Sequence, residues 1–238
     1  MKQERNSYIA IDVETTGLDP KRDKIIEIGA CKIIDGKKQE QYTTLVNPRR
    51  QLEERIVELT GIVDEMLCDA PGIEDVIAPL TEFCENLPLL GHHIIFDYSF
   101  LKRAVVNHGL FFEKEGIDTL TLCRRFMPEE EKKNLASACR YFQIKPSGFH
   151  RALADAYSAH ELYQQMLARY EADQPEVFQS KPLIYKVKKE QPATKRQKEH
   201  LQDLIKYHKI HVAVQIDYLS RNEASRLTDQ IILKYGRI

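Results

Sequence analysis

The chain has 238 residues, 42% hydrophobic and 30% charged, with 35 Lys+Arg against 36 Asp+Glu and a formal net charge of −1. That length admits one sizeable domain, alone or with a small appendage, and ten Gly and ten Pro are too few for a fibrous or disordered chain. No apolar run approaches the ~20 residues of a membrane span, the acid-interrupted start MKQERNSYIAIDVETTG is not expected to be a signal peptide, and five scattered cysteines (Cys31, Cys68, Cys84, Cys123, Cys139) fit a reducing cytoplasm and argue against structural zinc.

Residues 8–13 are apolar and β-branched and predict a strand, with turn chemistry from Thr16 to Pro20 behind it. Ile25–Ile34 predicts a second strand, Asp35-Gly36 a tight hairpin turn, and residues 39–46 a third strand ended by Pro48. From Leu52 the pattern turns helical, punctuated by Gly61, Pro71-Gly72 and Gly91; within it, residues 87–91 suit a short buried strand. Residues 97–107 predict an amphipathic helix ended by Gly109, and residues 134–142 and 152–170 predict two more. Antiparallel strands followed by alternating helices and buried strands predict an α/β fold, a mixed sheet with flanking helices.

The texture changes after residue 172. Pro175, Pro182, Pro192 and the cluster Lys186, Lys188, Lys189 read as a solvated linker over 173–193, dividing a domain of residues 1–172 from a small helical module of residues 194–238. In that module Thr194 with Gln197 and Ser220 with Glu223 fit capping boxes at two helix starts, the second helix stopping near Gly236. So small a core is expected to lean on the main domain. Residues 181–238 hold 13 Lys/Arg against 6 Asp/Glu, and the remaining 180 hold 22 against 30, so the tail is +7 and the body −8. The two parts should meet a polyanion differently. His208 and His211 have a metal-site spacing without a further ligand and read as surface.

Four acids stand where packing alone would not ask for them. Asp12 and Glu14 alternate at the end of an apolar strand, so both project from one face, and two such carboxylates repel unless a cation such as Mg²⁺ sits between them. Asp97 follows an apolar strand and a turn and opens a helix, where an ordinary N-cap is the better explanation for the residue taken alone. Asp155 lies in the first turn of the long helix predicted from residue 152. His150 precedes it, in a segment to which Gly148 is expected to lend freedom, and would stand above that helix start.

In that order, IDVETTGLDP, GHHIIFDYSFL and HRALADA resemble the three motifs of the DEDDh-type 3′→5′ exonucleases, the DnaQ-like family that includes the ε-subunit and PolC-type proofreading exonucleases of DNA polymerase III. The phrases IIEIGACKI, LTGIVDEML, DTLTLCRRF and NLASACRYFQI agree, and the likeness covers about residues 7–170. It implies a ribonuclease-H-like sheet, Asp12, Glu14, Asp97 and Asp155 as ligands of two Mg²⁺ or Mn²⁺ ions, and His150 as general base, for which the imidazole must be neutral. It further implies a terminal-nucleotide pocket of Thr15, Gly17 and Leu18, with Leu59 packing on bases and Phe96 packing or stacking; plain core packing is the ordinary explanation for the last two, and a turn for Gly17. Where the family commonly has His-Asn, this chain has His92-His93, so His93 stands in for an amide expected to orient its neighbours by hydrogen bonding.

The expected reaction is release of nucleoside 5′-monophosphates from DNA 3′ ends in proofreading or repair. An exoribonuclease trimming RNA ends is the alternative, and a non-catalytic nucleic-acid adaptor a weaker one, since all five catalytic positions are intact. A DNA polymerase or other replication protein is the partner such a role implies. The basic tail would either add phosphate contacts to an acidic body or serve as a solubilising, helix-capped extension.

Overall fold

The computed structural model describes residues 6–145 and 150–238, so Gly148 lies outside the described residues. Within them a six-stranded sheet runs in the order β3-β2-β1-β4-β5-β6. β1 (Tyr8–Thr15), β2 (Ile25–Ile34) and β3 (Lys37–Leu45) form an antiparallel meander, while β4 (Leu89–Gly91) and β5 (Glu115–Asp118) continue the sheet parallel to β1. The β2–β3 turn is Asp35-Gly36, with φ of 50° and 76° at its two residues. Two consecutive positive φ values make the type I′ geometry that matches strand twist, which is why Asp-Gly serves there. β3 is a polar edge strand and β2 is buried along almost its whole length.

β1 divides its side chains between two cores by alternation. Ile9, Ile11 and Val13 join Val76, Ile77 and Leu80 of α3 (Ile73–Cys84) and Tyr98, Leu101 and Val105 of α4 (Ile95–Asn107). Tyr8 and Ala10 join Ala159, Leu162, Tyr163 and Met166 of the long helix that lies on the opposite face, Ala152–Tyr170. Numbered in chain order after α1 (Glu54–Thr60) and α2 (Asp64–Leu67), that helix is α7, preceded by α5 (Thr119–Phe126) and α6 (Leu135–Tyr141). The parallel strands β1, β4 and β5 end beside one another, and ligands of α/β sheets characteristically sit at such carboxyl ends. No helix among the described residues is long and apolar enough to cross a membrane.

The stretch 173–193, expected as a solvated linker, is built into the body. A 3₁₀ turn (Pro175–Phe178) buries Phe178 completely against Phe126, and Lys181–Pro182 pairs antiparallel with β5 as β6. Leu183 donates its N–H to the Lys114 carbonyl at 2.9 Å, and Glu190 pairs with Arg103 of α4 at 2.6 Å. The prolines and lysines suggested solvation, but Phe178, Leu183 and Tyr185 supply the apolar surface that ties the strap down.

Both capping boxes form at the starts of α8 (Lys195–His208) and α9 (Arg221–Tyr235). Leu201, Leu204, Leu219, Ala224 and Ile231 make their small core. The pair leans on the body: Gln51 and Gln215 donate their N–H groups to the Ala213 and Arg49 carbonyls at 3.1 Å, the Arg49 guanidinium lies 3.3 Å over the Tyr218 ring, and Lys24 pairs with Glu223 at 2.6 Å.

Candidate active site

β1 delivers two carboxylates by the same alternation that fills the core. Asp12 and Glu14 extend the row of Tyr8 and Ala10 toward the strand's carboxyl end, on the α7 side of the sheet. Asp97 arrives from α4. Its Oδ1 accepts the Val13 N–H at 3.0 Å, and the residue is 3% exposed. It is the third residue of that helix, whose N-cap position is Ile94, so the ordinary N-cap explanation does not apply. Asp155, in the first turn of α7, accepts the His150 N–H at Oδ2 (2.9 Å), while its buried Oδ1 has no hydrogen-bond partner among the described residues. His150 is exposed, with φ 60°, and ligand atoms of Glu14, His150 and Asp155 all lie within 4.8 Å of one another.

Burial and mutual repulsion lift these carboxyls. Burial raises Asp12 well above its ordinary range, with the charges of Asp97, Glu14, Asp155 and Glu27 adding to it. Glu14 is pushed up to about 7 by burial, then by Asp155 and Glu27, against the pull of Arg151. Burial brings Asp97 to about 8 despite the Val13 hydrogen bond, and raises Asp155 despite the His150 contacts. Clustered carboxylates costly to ionise, one oxygen without a partner and an imidazole at the rim fit a hard divalent cation, which prefers oxygen donors and removes the repulsion. Asp12, Glu14, Asp97 and Asp155 are the residues that would hold it.

The other expected residues fall into two groups. Leu18 is 84% exposed and Leu59 52% exposed, so neither is a core residue. Thr15 is buried and its hydroxyl donates to the Gly17 carbonyl at 2.6 Å, shaping the loop that follows β1. Gly17 leaves room for the Asp23 carboxylate, which a Cβ there would displace. Phe96 is half-buried and packs on Phe100, with ring centroids 5.1 Å apart. His93 has φ 74° and its N–H donates to Asp118 Oδ1 at 2.8 Å. The requirement at that position is a left-handed backbone, which Asn and His both enter more readily than most residues.

Sequence reasoning missed three supporting residues, Glu27, Asp118 and His92. Glu27 of β2 is 3% exposed and binds Arg151 and the amino end of α7. Asp118 caps α5 and holds His93. His92 bridges the Lys133 carbonyl (2.7 Å) and Thr119 Oγ1 (3.0 Å). One signal was available: an acid inside a strand otherwise buried on both faces.

The profile of the family RNase_T, described as exonuclease, matches residues 9–163. The chain is 37% identical over 162 residues to the DNA polymerase III PolC-type of Caldanaerobacter subterraneus subsp. tengcongensis, a match covering 68% of the chain and 12% of that protein. To the DNA polymerase III PolC-type of Bacillus subtilis it is 39% identical over 167 residues, covering 69% and 12%. The matched segment is thus a small part of these polymerases. Among solved structures, Exonuclease X in complex with 5′ overhanging duplex DNA aligns with TM-score 0.54 and 28% identity, covering 67% of this chain and 90% of that one. Exonuclease I aligns with TM-score 0.61 at 18% identity, covering 73% and 42%, a likeness of fold.

Proposed function

Because the chain belongs to the exonuclease family RNase_T, we propose that it is a metal-dependent 3′→5′ exonuclease that removes nucleoside 5′-monophosphates from DNA 3′ ends. The observation that carries this reading is that ligand atoms of Glu14, His150 and Asp155 lie within 4.8 Å of one another, with Asp12 near enough to Asp97, Glu14 and Asp155 to be raised by their charges. DNA is favoured over RNA because the PolC-type relatives are DNA polymerases and Exonuclease X is solved on DNA. Five unpaired thiols accord with work in the cytoplasm.

Two divalent ions, when bound, supply a nucleophilic water at neutral pH and neutralise the charge that builds on the scissile phosphate. His150, exposed at the rim and tied to Asp155 through its backbone, takes the proton of the attacking water. The exposed side chains of Leu18 and Leu59 pack on the terminal bases, and Thr15 and Gly17 shape the loop that receives the terminal sugar. Phe96, packed on Phe100, and His93, on the β4–α4 turn three residues before it, would complete the nucleotide-facing surface.

The test uses 5′-labelled DNA and RNA oligomers, single- and double-stranded, with Mg²⁺, Mn²⁺ or EDTA. A ladder shortening from the 3′ end of DNA, abolished by EDTA, is expected. Cleavage of RNA alone moves the reading to an exoribonuclease, and binding of either polymer without cleavage moves it to an adaptor.

A further inference from the structure

We infer that Glu27 is a positioning residue: with Gly29 it seats the amino end of α7 on β2 and so fixes where Asp155 and His150 stand against Asp12 and Glu14. The inference rests on the exonuclease reading above. Glu27 occupies an unfavourable place for a carboxylate, 3% exposed and directly opposite Glu14 in the β1–β2 register. Like charges facing across a strand pair destabilise it, so other groups must hold this one. They come from 124 residues away: Arg151 Nε donates to both carboxylate oxygens (3.1 and 3.2 Å) and Arg151 Nη2 to Oε1 (2.7 Å). The Ala152 N–H donates to Oε2 at 2.9 Å.

That last bond is a helix cap supplied from another element. α7 begins at Ala152, and Arg151 at its N-cap position offers no capping side chain. The first N–H groups of a helix need acceptors, and a carboxylate there also answers the helix dipole. Gly29 lies two residues along on the same face of β2, opposite Asp12 in the register, and a Cβ on it would fall on the backbone of Ala152 and Leu153. The missing side chain lets the first turn of α7 rest on the strand, while Glu27 stops it sliding. Asp155 is three residues beyond the capped N–H and His150 two before it, so any slip of this turn moves both at once. Displacements near 1 Å at such groups cost on the order of a hundredfold in rate.

The experiment compares the full chain with Glu27→Gln, Glu27→Ala, Arg151→Ala and the double variant Glu27→Ala/Arg151→Ala, with Leu162→Ala as a destabilised control whose fully buried side chain lies in the core under α7. Turnover and KM on a 5′-labelled DNA oligomer, Mn²⁺ binding by calorimetry, and thermal midpoint are measured on each. Glu27→Ala is expected to lower kcat about a hundredfold and Mn²⁺ affinity about tenfold with KM little changed, the range seen when groups that orient metal ligands are removed. Glu27→Gln, which keeps an acceptor for Ala152, recovers part of both, and the double variant is no worse than Glu27→Ala. Wild-type kcat and Mn²⁺ affinity in both Glu27 variants overturn the inference. So does a loss that Leu162→Ala reproduces at an equal drop in thermal midpoint. If the wild-type chain cleaves no oligomer, it is the exonuclease reading that fails, and the Mn²⁺ titrations still decide the seat.

Discussion

The grip of α7 on β1 should be pH-sensitive through His160. This residue is 6% exposed, and its Nδ1 lies 2.8 Å from the Tyr8 hydroxyl. Tyr8 accepts a hydrogen bond from Gln164 Nε2 at 2.8 Å, so its own proton points to His160, which is therefore held neutral at Nδ1. Burial pushes the imidazole down to about 4, against about 6.5 in the unfolded chain. The unfolded state then binds more protons between those two values, so the contribution is complete above pH 6.5 and is lost as pH falls through 4. Worked through the two titration curves, the loss is about 2 kcal/mol at pH 5 and about 3 kcal/mol at pH 4. Denaturant unfolding of the wild type and His160→Gln at pH 8, 6 and 5 measures it, because the acids of the active site titrate in both proteins and cancel. The advantage of the wild type at pH 8 should shrink by about 2 kcal/mol at pH 5. A difference constant within about 0.5 kcal/mol, the usual spread for independent sites, would refute the reasoning.

Asp155→Asn should abolish mononucleotide release, yet raise the thermal midpoint in EDTA at pH 8, since it removes one of four clustered carboxyls that burial and mutual repulsion make costly to ionise and keeps an acceptor for the His150 N–H; a lowered midpoint would contradict the repulsion. Leu18→Ala and Leu59→Ala should each cost about 1–2 kcal/mol of substrate binding, roughly 5–30-fold in KM, with unchanged kcat and stability because both side chains are exposed; a fall in thermal midpoint would place them in the core after all. Deleting residues 194–238, which leaves β6 and the strap in place, should weaken binding of a single-stranded oligomer and lower the log–log salt slope by about 1.5–2.5, equivalent to two or three phosphate contacts. An unchanged slope would mean that residues 194–238 do not touch the substrate.

The parts of the fold that local pattern reveals are those in which one segment carries its own signal. β1 and β2 read from apolar β-branched runs, their partner β3 from the Asp35-Gly36 turn, and α7 from a sustained helical period ending at Tyr170. β5 did not read as a strand, because Glu-Gly-Ile-Asp is four residues long and has no β-branched run. β6 is two residues and contains a proline; it is a strand only because β5 lies beside it. The α4 helix begins at Ile95, two residues before the acid that suggested its start, because Asp97 serves Val13 and not its own helix end.

The same distinction separates the carboxylates that were legible from the one that was not. Asp12, Glu14, Asp97 and Asp155 each interrupt an apolar pattern at the end of an element, where an acid asks for an explanation. Glu27 interrupts one inside a buried strand, and its explanation, Arg151, is 124 residues away. The structure also shows why the five acids differ in kind. Glu27 has a guanidinium and a helix N–H on its oxygens. Glu14 feels Arg151 only at second hand, Asp97 has a backbone N–H, and Asp155 keeps one oxygen without any partner among the described residues. A scaffold that neutralises the fifth carboxylate with its own cation and leaves the other four raised and repelling is arranged for positive charge from outside the chain. That asymmetry, more than the count of acids, is the physical argument for a metal centre at the end of β1.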